Sequence, residues 1–110
     1  MAREFSQVGV VGLGTMGAGI AEVFARSGLS VVAVEVDEDA VKRGRSHIED
    51  STERALARGK LDAAERSAML DRVSYSTDLA ALANAELVVE AIPERMELKR
   101  QVFSRLDEVC

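Results

Sequence analysis

The glycines at positions 12, 14 and 17 restrict the fold of this chain more than any other feature of its sequence. They follow a short apolar run, Val8 to Val11, and precede residues 18–25, whose apolar side chains recur with helical spacing. This order predicts a strand, a tight turn and a helix, as at the start of a dinucleotide-binding unit. In such a unit Gly12 allows the turn, Gly14 lets the backbone approach a pyrophosphate, and Gly17 lets the helix pack on the strand. A glycine-rich turn without a ligand is the alternative.

Two helices are predicted between the second strand and the third. The second strand is the apolar run from Val31 to Val34, and Asp37 after it is a suitable N-cap for a helix that runs to about Arg58. Gly59 would end this helix, and Asp-Ala-Ala-Glu at residues 62–65 predicts a capping box that begins a shorter one. Together the two would form a helical hairpin.

Further strands are predicted at residues 73–76 and 87–90, with a short turn of helix near 79–83 between them. Strands that alternate with helices indicate a parallel sheet. The expected fold class is therefore α/β, a Rossmann-type parallel sheet with the helical hairpin inserted after the second strand, and residues 1–110 would form one domain. After Pro93 a last amphipathic helix is predicted from the apolar residues Met96, Leu98, Val102, Phe103 and Leu106.

Two acidic residues at strand ends suggest the ligand. Glu35 ends the second strand, near the distance of about 20 residues from the glycine turn at which a carboxylate holds an adenosine ribose. Such a carboxylate repels a 2′-phosphate, and residues 36–38 contain no arginine to accommodate one, so NAD is favoured over NADP. Glu90 ends a later strand, in the crevice where ligands bind to open parallel sheets. For both, a solvated surface carboxylate is the alternative.

The composition argues against several classes of protein. A formal net charge of −5 disfavours binding to nucleic acid, which requires a clustered basic surface. No apolar run approaches the roughly 18 residues that cross a bilayer, and the N-terminal residues do not form a signal peptide, so no membrane partner is expected. The single cysteine agrees with a reducing compartment, and we expect a cytoplasmic protein. No metal site is predicted.

Residues 9–21, Gly-Val-Val-Gly-Leu-Gly-Thr-Met-Gly-Ala-Gly-Ile-Ala, resemble the nucleotide-binding signature of the 3-hydroxyacyl-CoA dehydrogenases, including the 3-hydroxybutyryl-CoA enzymes. Residues 76–79, Ser-Thr-Asp-Leu, and residues 87–94, Leu-Val-Val-Glu-Ala-Ile-Pro-Glu, look like further segments of that family in the same order. The glycine motif alone is shared with the 6-phosphogluconate and 3-hydroxyisobutyrate dehydrogenases. The later segments and the helical hairpin favour the acyl-CoA family.

The resemblance implies an NAD-dependent enzyme of fatty acid metabolism that oxidises the 3-hydroxyl of an acyl-CoA and is a homodimer at full length. It implies that Leu13, Thr15 and Met16 line the dinucleotide beside the three glycines of the turn. Glu35 would then hold the adenosine ribose, and Glu90 would lie near the nicotinamide. For Met16, packing within the protein is an equal alternative.

The resemblance also places coenzyme A at Ser51 and Arg58, which are seven residues apart and so share one face of a helix. Ordinary solvated helix residues are the alternative. The family's catalytic histidine, with its glutamate partner, and its dimerisation region are expected beyond Cys110, so we predict no catalytic residue here and no turnover by this chain alone. His47 is expected to be solvated or half-buried and not catalytic.

Two other functions agree with the same residues. One is a dehydrogenase of the 3-hydroxyisobutyrate or 6-phosphogluconate type, whose substrate is a small hydroxy acid without coenzyme A. The other is a module that senses NAD or NADH and performs no chemistry.

Overall fold

The computed structural model describes residues 6–92 and 95–100 of the chain, with the backbone alone described at residues 92 and 95–100. The described part is a sheet with helices in the connections between its parallel strands. The strands are β1 (Gln7–Val11), β2 (Ser30–Val34), β3 (Val73–Ser76), β4 (Leu87–Ile92) and β5 (Arg95–Arg100); the helices are α1 (Thr15–Arg26), α2 (Glu38–Ala57) and α3 (Ala63–Asp71), and a 3₁₀ helix covers Leu79–Leu82.

The strand order across the sheet is β3-β2-β1-β4-β5. The pairs β1 with β2, β1 with β4 and β2 with β3 are all parallel, as the alternation of strands and helices predicted. After β1, the chain places β2 and β3 on one side of it and then β4 on the other side. In an open parallel sheet such a reversal leaves a crevice at the carboxyl ends of the strands on either side of it.

Both faces of the central strands are buried, which explains their continuous apolar runs. Val8 and Val10 of β1 belong to one core cluster together with Ile48 of α2 and Met69 of α3. Val32 and Val34 of β2, together with Leu82 of the 3₁₀ helix, belong to a second cluster. Because side chains alternate between the faces of a strand, the large helices cover one face and the 3₁₀ helix covers the other.

The helix ends follow from local sequence. The Asp37 carboxylate accepts a hydrogen bond of 2.8 Å from the backbone of the first turn of α2. Asp62 and Glu65 form both hydrogen bonds of a capping box at the start of α3. Gly28 follows α1 with φ of +94°, and Gly59 follows α2 with φ of +74°, a region that glycine adopts without strain. The predictions made from Asp37, from Gly59 and from residues 62–65 are confirmed.

Helices α2 and α3 lie between β2 and β3, and one arginine joins them. The Nε of Arg66 in α3 donates to Thr52 Oγ1 at 3.0 Å, and its Nη2 donates to the backbone oxygen of Glu49 at 3.1 Å. Thr52 is fully buried, and its hydroxyl donates in turn to the backbone oxygen of Ile48 at 2.9 Å. Because each polar atom in this contact has a partner, its burial carries little desolvation cost.

The prediction of a helix after Pro93 is wrong over residues 95–100. These residues form β5, which pairs antiparallel with β4, so the sheet is mixed at this edge and parallel elsewhere. Met96 and Leu98 alternate with charged residues, the period of a strand, and the outer edge of β4 offers backbone donors and acceptors that require partners. Three residues used for that prediction lie outside the described residues: Val102, Phe103 and Leu106.

Within the described residues, no helix combines the length and the apolar character needed to cross a membrane. In the same part of the chain, no three His, Cys, Asp or Glu side chains come together as ligands for a metal ion.

Candidate functional site

A cleft of about 1130 Å³ opens at the carboxyl ends of the parallel strands. Its wall includes the last residues of β1 and β2, Val11 and Val34, and Ala91 of β4. This volume is slightly above the range of about 300–1,000 Å³ that is typical of ligand pockets. Seven of the residues predicted from the sequence to bind a cofactor line the cleft: Gly12, Gly14, Thr15, Met16, Gly17, Glu35 and Glu90.

Two glycines of the turn are required by the packing of the protein itself. A Cβ added at Gly12 would lie 2.6 Å from the backbone oxygen of Ala91, and the φ of Gly12 is +94°. A Cβ added at Gly17 would overlap the backbone oxygen of Gly12. Gly12 therefore lets the turn pass close to β4, and Gly17 lets α1 pack against the end of β1, the task predicted for it.

Gly14 differs from both, because an added Cβ would meet no protein atom within 4 Å. Its φ of −64° and ψ of −170° are an extended conformation that other residues also adopt. Neither the packing nor the conformation of the protein therefore requires a glycine at this position. The open space in front of Gly14 is available to a ligand that approaches the backbone.

Gly14 is also the N-cap of α1, and this helix end fits an anion. No side chain caps it, and its first turn contains no acidic residue. The backbone N–H groups of a first helical turn have no partner within the helix and carry a partial positive charge. Together with the space at Gly14, they form a cradle suited to a diphosphate.

Glu35 lines the same cleft beside the glycine turn, and both of its carboxylate oxygens are held by backbone donors. Oε2 accepts a hydrogen bond of 2.6 Å from the N–H of Leu13, and Oε1 accepts one of 2.9 Å from the N–H of Val36. The backbone N–H of Glu35 donates to the oxygen of Ser76 at 3.0 Å, which ties the end of β2 to β3. A carboxylate oxygen accepts more than one hydrogen bond, so Glu35 keeps capacity for the hydroxyls of a ribose.

The structure places Leu13 differently from its neighbours in the turn. Its side chain is 4% exposed, belongs to the core cluster on the helix-covered face of the sheet, and packs against Gly44 of α2. It is not among the residues that line the cleft. Leu13 takes part in the site through its backbone N–H, which the sequence alone did not indicate.

Exposed apolar side chains form part of the cleft. Met16, Val36 and Leu79 are 49%, 85% and 64% exposed, and all three line the cleft. Exposed apolar side chains that gather in a groove mark a binding surface for flat or apolar parts of a ligand. The sequence analysis did not assign Val36, Leu79 or the adjacent Thr77 to the site. The signal that could have found them is their position directly after the ends of β2 and β3.

The charges of the cleft favour NAD over NADP. None of the described residues that line it is Lys or Arg, and Glu35 stands where the adenosine ribose is expected. A 2′-phosphate at this position would meet a carboxylate and no guanidinium. Glu90 of β4 pairs in register with Val11 of β1, at the point where the strand order reverses.

The residues predicted to contact coenzyme A lie outside this cleft. Ser51 is half-buried on α2, and Arg58, the C-cap of the same helix, is exposed. Lys60 lines a separate, smaller cleft of about 460 Å³ beside α3. His47 is exposed on α2 and does not line the cofactor cleft, which agrees with the solvated state predicted for it.

Residues 7–110 match the family model described as 3-hydroxyacyl-CoA dehydrogenase, NAD binding domain. The chain belongs to this family. A 3-hydroxybutyryl-CoA dehydrogenase of Mycobacterium tuberculosis is 42% identical over 99% of the chain and 38% of its own length. A 3-hydroxyadipyl-CoA dehydrogenase of Escherichia coli is 44% identical over 100% of the chain and 23% of its own length.

A solved structure of (S)-3-hydroxybutyryl-CoA dehydrogenase from Ralstonia eutropha matches the fold of this NAD-binding domain with a TM-score of 0.80. It is 37% identical and covers 84% of this chain, which corresponds to 32% of the solved chain. The NAD-binding domain thus spans less than two-fifths of the relatives it matches. The family and the geometry of the cleft agree that its cofactor is NAD.

Proposed function

We propose that this chain is the cofactor-binding part of an enzyme that oxidises the 3-hydroxyl of an acyl-CoA to a ketone in fatty acid metabolism, with NAD accepting the hydride. The observation that carries the proposal is the arrangement around Gly14: open space, a helix end without a side-chain cap, and the Glu35 carboxylate held by the N–H of the neighbouring Leu13. The names of the relatives supply the substrate class, because they include 3-hydroxybutyryl-CoA and 3-hydroxyadipyl-CoA dehydrogenases. Residues 1–110 would form one domain whose own residues bind and orient the cofactor.

Each part of the cleft has a proposed task. The N–H groups at the start of α1 hold the diphosphate, and the space at Gly14 lets it approach. Glu35 accepts hydrogen bonds from the adenosine ribose, and its contact with Leu13 keeps the carboxylate oriented before the ligand binds. Val36 and Leu79 provide an apolar surface for the adenine ring. Glu90 lies on the nicotinamide side of the cleft.

We further propose that Ser51 and Arg58 contact coenzyme A. The hydroxyl and the guanidinium are two helical turns apart on α2, and Arg58 is exposed, so both can reach one phosphorylated ligand. No catalytic residue is proposed within this chain, and a homodimer at full length and a cytoplasmic location stay predictions.

Isothermal titration of the chain with NADH, with 3-hydroxybutyryl-CoA and with free 3-hydroxybutyrate tests the proposal. We expect NADH and the thioester to bind and the free acid not to bind. Arg58→Ala should weaken thioester binding about tenfold, because it removes a charge-assisted contact to phosphate. Arg43→Ala is the matched control, since it removes the same charge from α2 at a distance of about 22 Å along the helix axis.

The other outcomes separate the competing functions. Binding of the free acid without the thioester would indicate a hydroxy acid dehydrogenase. Binding of NADH alone would support a sensing module. If NADH released no heat under conditions in which the chain is folded, the cofactor assignment itself would be refuted.

A further inference from the structure

We propose that Gly44 of α2 is a positioning residue for the cofactor site, because it seats α2 against Leu13 and thereby sets the glycine turn and the Glu35 carboxylate. The proposal goes beyond the family's glycine motif to a residue 27 positions after that motif ends at Gly17. It rests on the proposed binding of NAD.

The packing at Gly44 leaves no room for a side chain. An added Cβ would lie 2.5 Å from the Cβ of Leu13, 2.9 Å from its Cδ1 and 3.2 Å from its Cγ. Contacts below 3.0 Å essentially do not occur for real Cβ atoms, so a larger residue must push Leu13 or α2 aside. Gly44 is buried in the interior of a 20-residue helix, where glycine is less favourable than alanine. The space that Leu13 occupies is therefore the reason for a glycine here.

Leu13 connects this contact to the cofactor site. Its side chain is 4% exposed and packs on Gly44, while its backbone N–H donates to Glu35 Oε2 at 2.6 Å. Leu13 also stands between Gly12 and Gly14, so its backbone belongs to the turn that faces the ligand. A displaced Leu13 side chain would shift its own N–H, and with it the carboxylate that the N–H holds.

Gly19, another glycine inside a helix, provides a comparison without such a clash. Gly19 is exposed in α1, and a Cβ added there would meet nothing within 4 Å. The same change from glycine to alanine is therefore harmless at Gly19 and obstructive at Gly44. This pair separates a general effect of alanine in a helix from the loss of space against Leu13.

The test compares Gly44→Ala with the control Gly19→Ala in two measurements. Amide chemical shifts of the free protein report the positions of Leu13 and Val36, whose N–H groups hold Glu35. Titration followed by NADH fluorescence then gives the dissociation constant of the folded variants. We expect Gly44→Ala to shift both amides and to weaken NADH binding about tenfold, and Gly19→Ala to do neither.

A double variant identifies the cause. In Leu13→Gly the Cβ, Cγ and Cδ1 atoms that a methyl group at position 44 would meet are all absent, so adding Gly44→Ala to it should change the dissociation constant by less than about threefold. Should Gly44→Ala alone fail to fold, recovery of the folded state in the double variant would support the same steric contact. In that case Leu13→Gly alone should still bind NADH several-fold more weakly than the unmodified chain.

Two results would overturn the proposal: unchanged Leu13 and Val36 amides in Gly44→Ala, or an affinity for NADH equal to that of Gly19→Ala. If neither the unmodified chain nor Gly19→Ala bound NADH, the proposed function would fail instead. The amide shifts of the free protein would still decide whether Gly44 positions the turn.

Discussion

Replacing Gly14 by alanine should weaken cofactor binding while leaving the fold intact. Replacing Gly17 by alanine should instead destabilise the fold. At Gly14 an added methyl group meets no protein atom within 4 Å, so it introduces no clash. Alanine is a poorer N-cap than glycine by about 0.5–1 kcal/mol. It also reduces the entropy of the unfolded chain, which stabilises the protein by about 0.4–1 kcal/mol. The two effects nearly cancel.

At Gly17 the added Cβ overlaps the backbone oxygen of Gly12, and backbone cannot rotate away as a flexible side chain can. Forced displacement of this kind costs about 3 kcal/mol or more. Since each kcal/mol lowers the Tm of a domain of this size by about 4–8 °C, Gly17→Ala should melt about 12 °C or more below the unmodified chain. Gly14→Ala should melt within about 4 °C of it.

In Gly14→Ala the affinity for NADH should fall although the stability hardly changes. The methyl group would occupy the space proposed for the diphosphate, and the loss of one charge-assisted hydrogen bond, about 1.5–3 kcal/mol, is expected to weaken NADH binding about 10- to 100-fold. Thermal melting followed by circular dichroism and titration followed by NADH fluorescence measure the two effects separately. The reasoning is refuted if Gly14→Ala binds NADH as the unmodified chain does, or if Gly17→Ala melts at the same temperature as the unmodified chain.

Three further predictions follow from other contacts. Glu35→Ala should weaken NADH binding about tenfold and NADPH binding less, because no carboxylate would remain to repel a 2′-phosphate. Parallel titrations with the two cofactors measure this, and an unchanged ratio of their affinities would contradict it. Burial raises the pKa of Tyr75 above its usual 10.0, so the folded state holds the phenolic proton more tightly than the unfolded state does. The contribution of this proton to the free energy of unfolding is therefore fully present below pH 10.0 and is lost as the pH rises through the folded-state pKa. Urea unfolding at about pH 9 to 11 should show this loss of stability in the unmodified chain and less of it in Tyr75→Phe. If the free energy of unfolding depended on pH in the same way in both, Tyr75 would not be its source. Asp62→Ala should lower the free energy of unfolding by about 1 kcal/mol through loss of the α3 capping box, with NADH affinity unchanged; a change in that affinity would show that α3 influences the cleft.

Most of the fold was predictable because its signals are local. The N-caps Asp37 and Asp62 bond to backbone within three residues along the chain, and Gly59 ends α2 by its own conformation. The apolar runs that became β1 and β2 report burial on both faces, whichever elements cover them. The prediction of a helix at residues 95–100 was wrong because these residues pair with the edge of β4, the strand just before them, and the alternation of Met96 and Leu98 with charged residues suits that pairing.

The candidate site also has a part that was predictable from local sequence and a part that was not. The glycine turn and Glu35 were predicted because the motif lies within one strand-turn-helix-strand unit of about 30 residues. Val36 and Leu79 are 43 residues apart, and they meet in one cleft only because β2 pairs with β3. No local pattern carries that information.

The sequence by itself determined the order of strands and helices as far as β4, the ends of the helices, the glycine turn and the acid that follows the second strand, since each depends on residues close together in the chain. Only the tertiary structure decided which way Leu13 points, that Gly44 lies against it, and that Gly14 faces open space while Gly17 does not. These are questions of occupied volume, and volume is set by elements that meet after folding from distant parts of the chain.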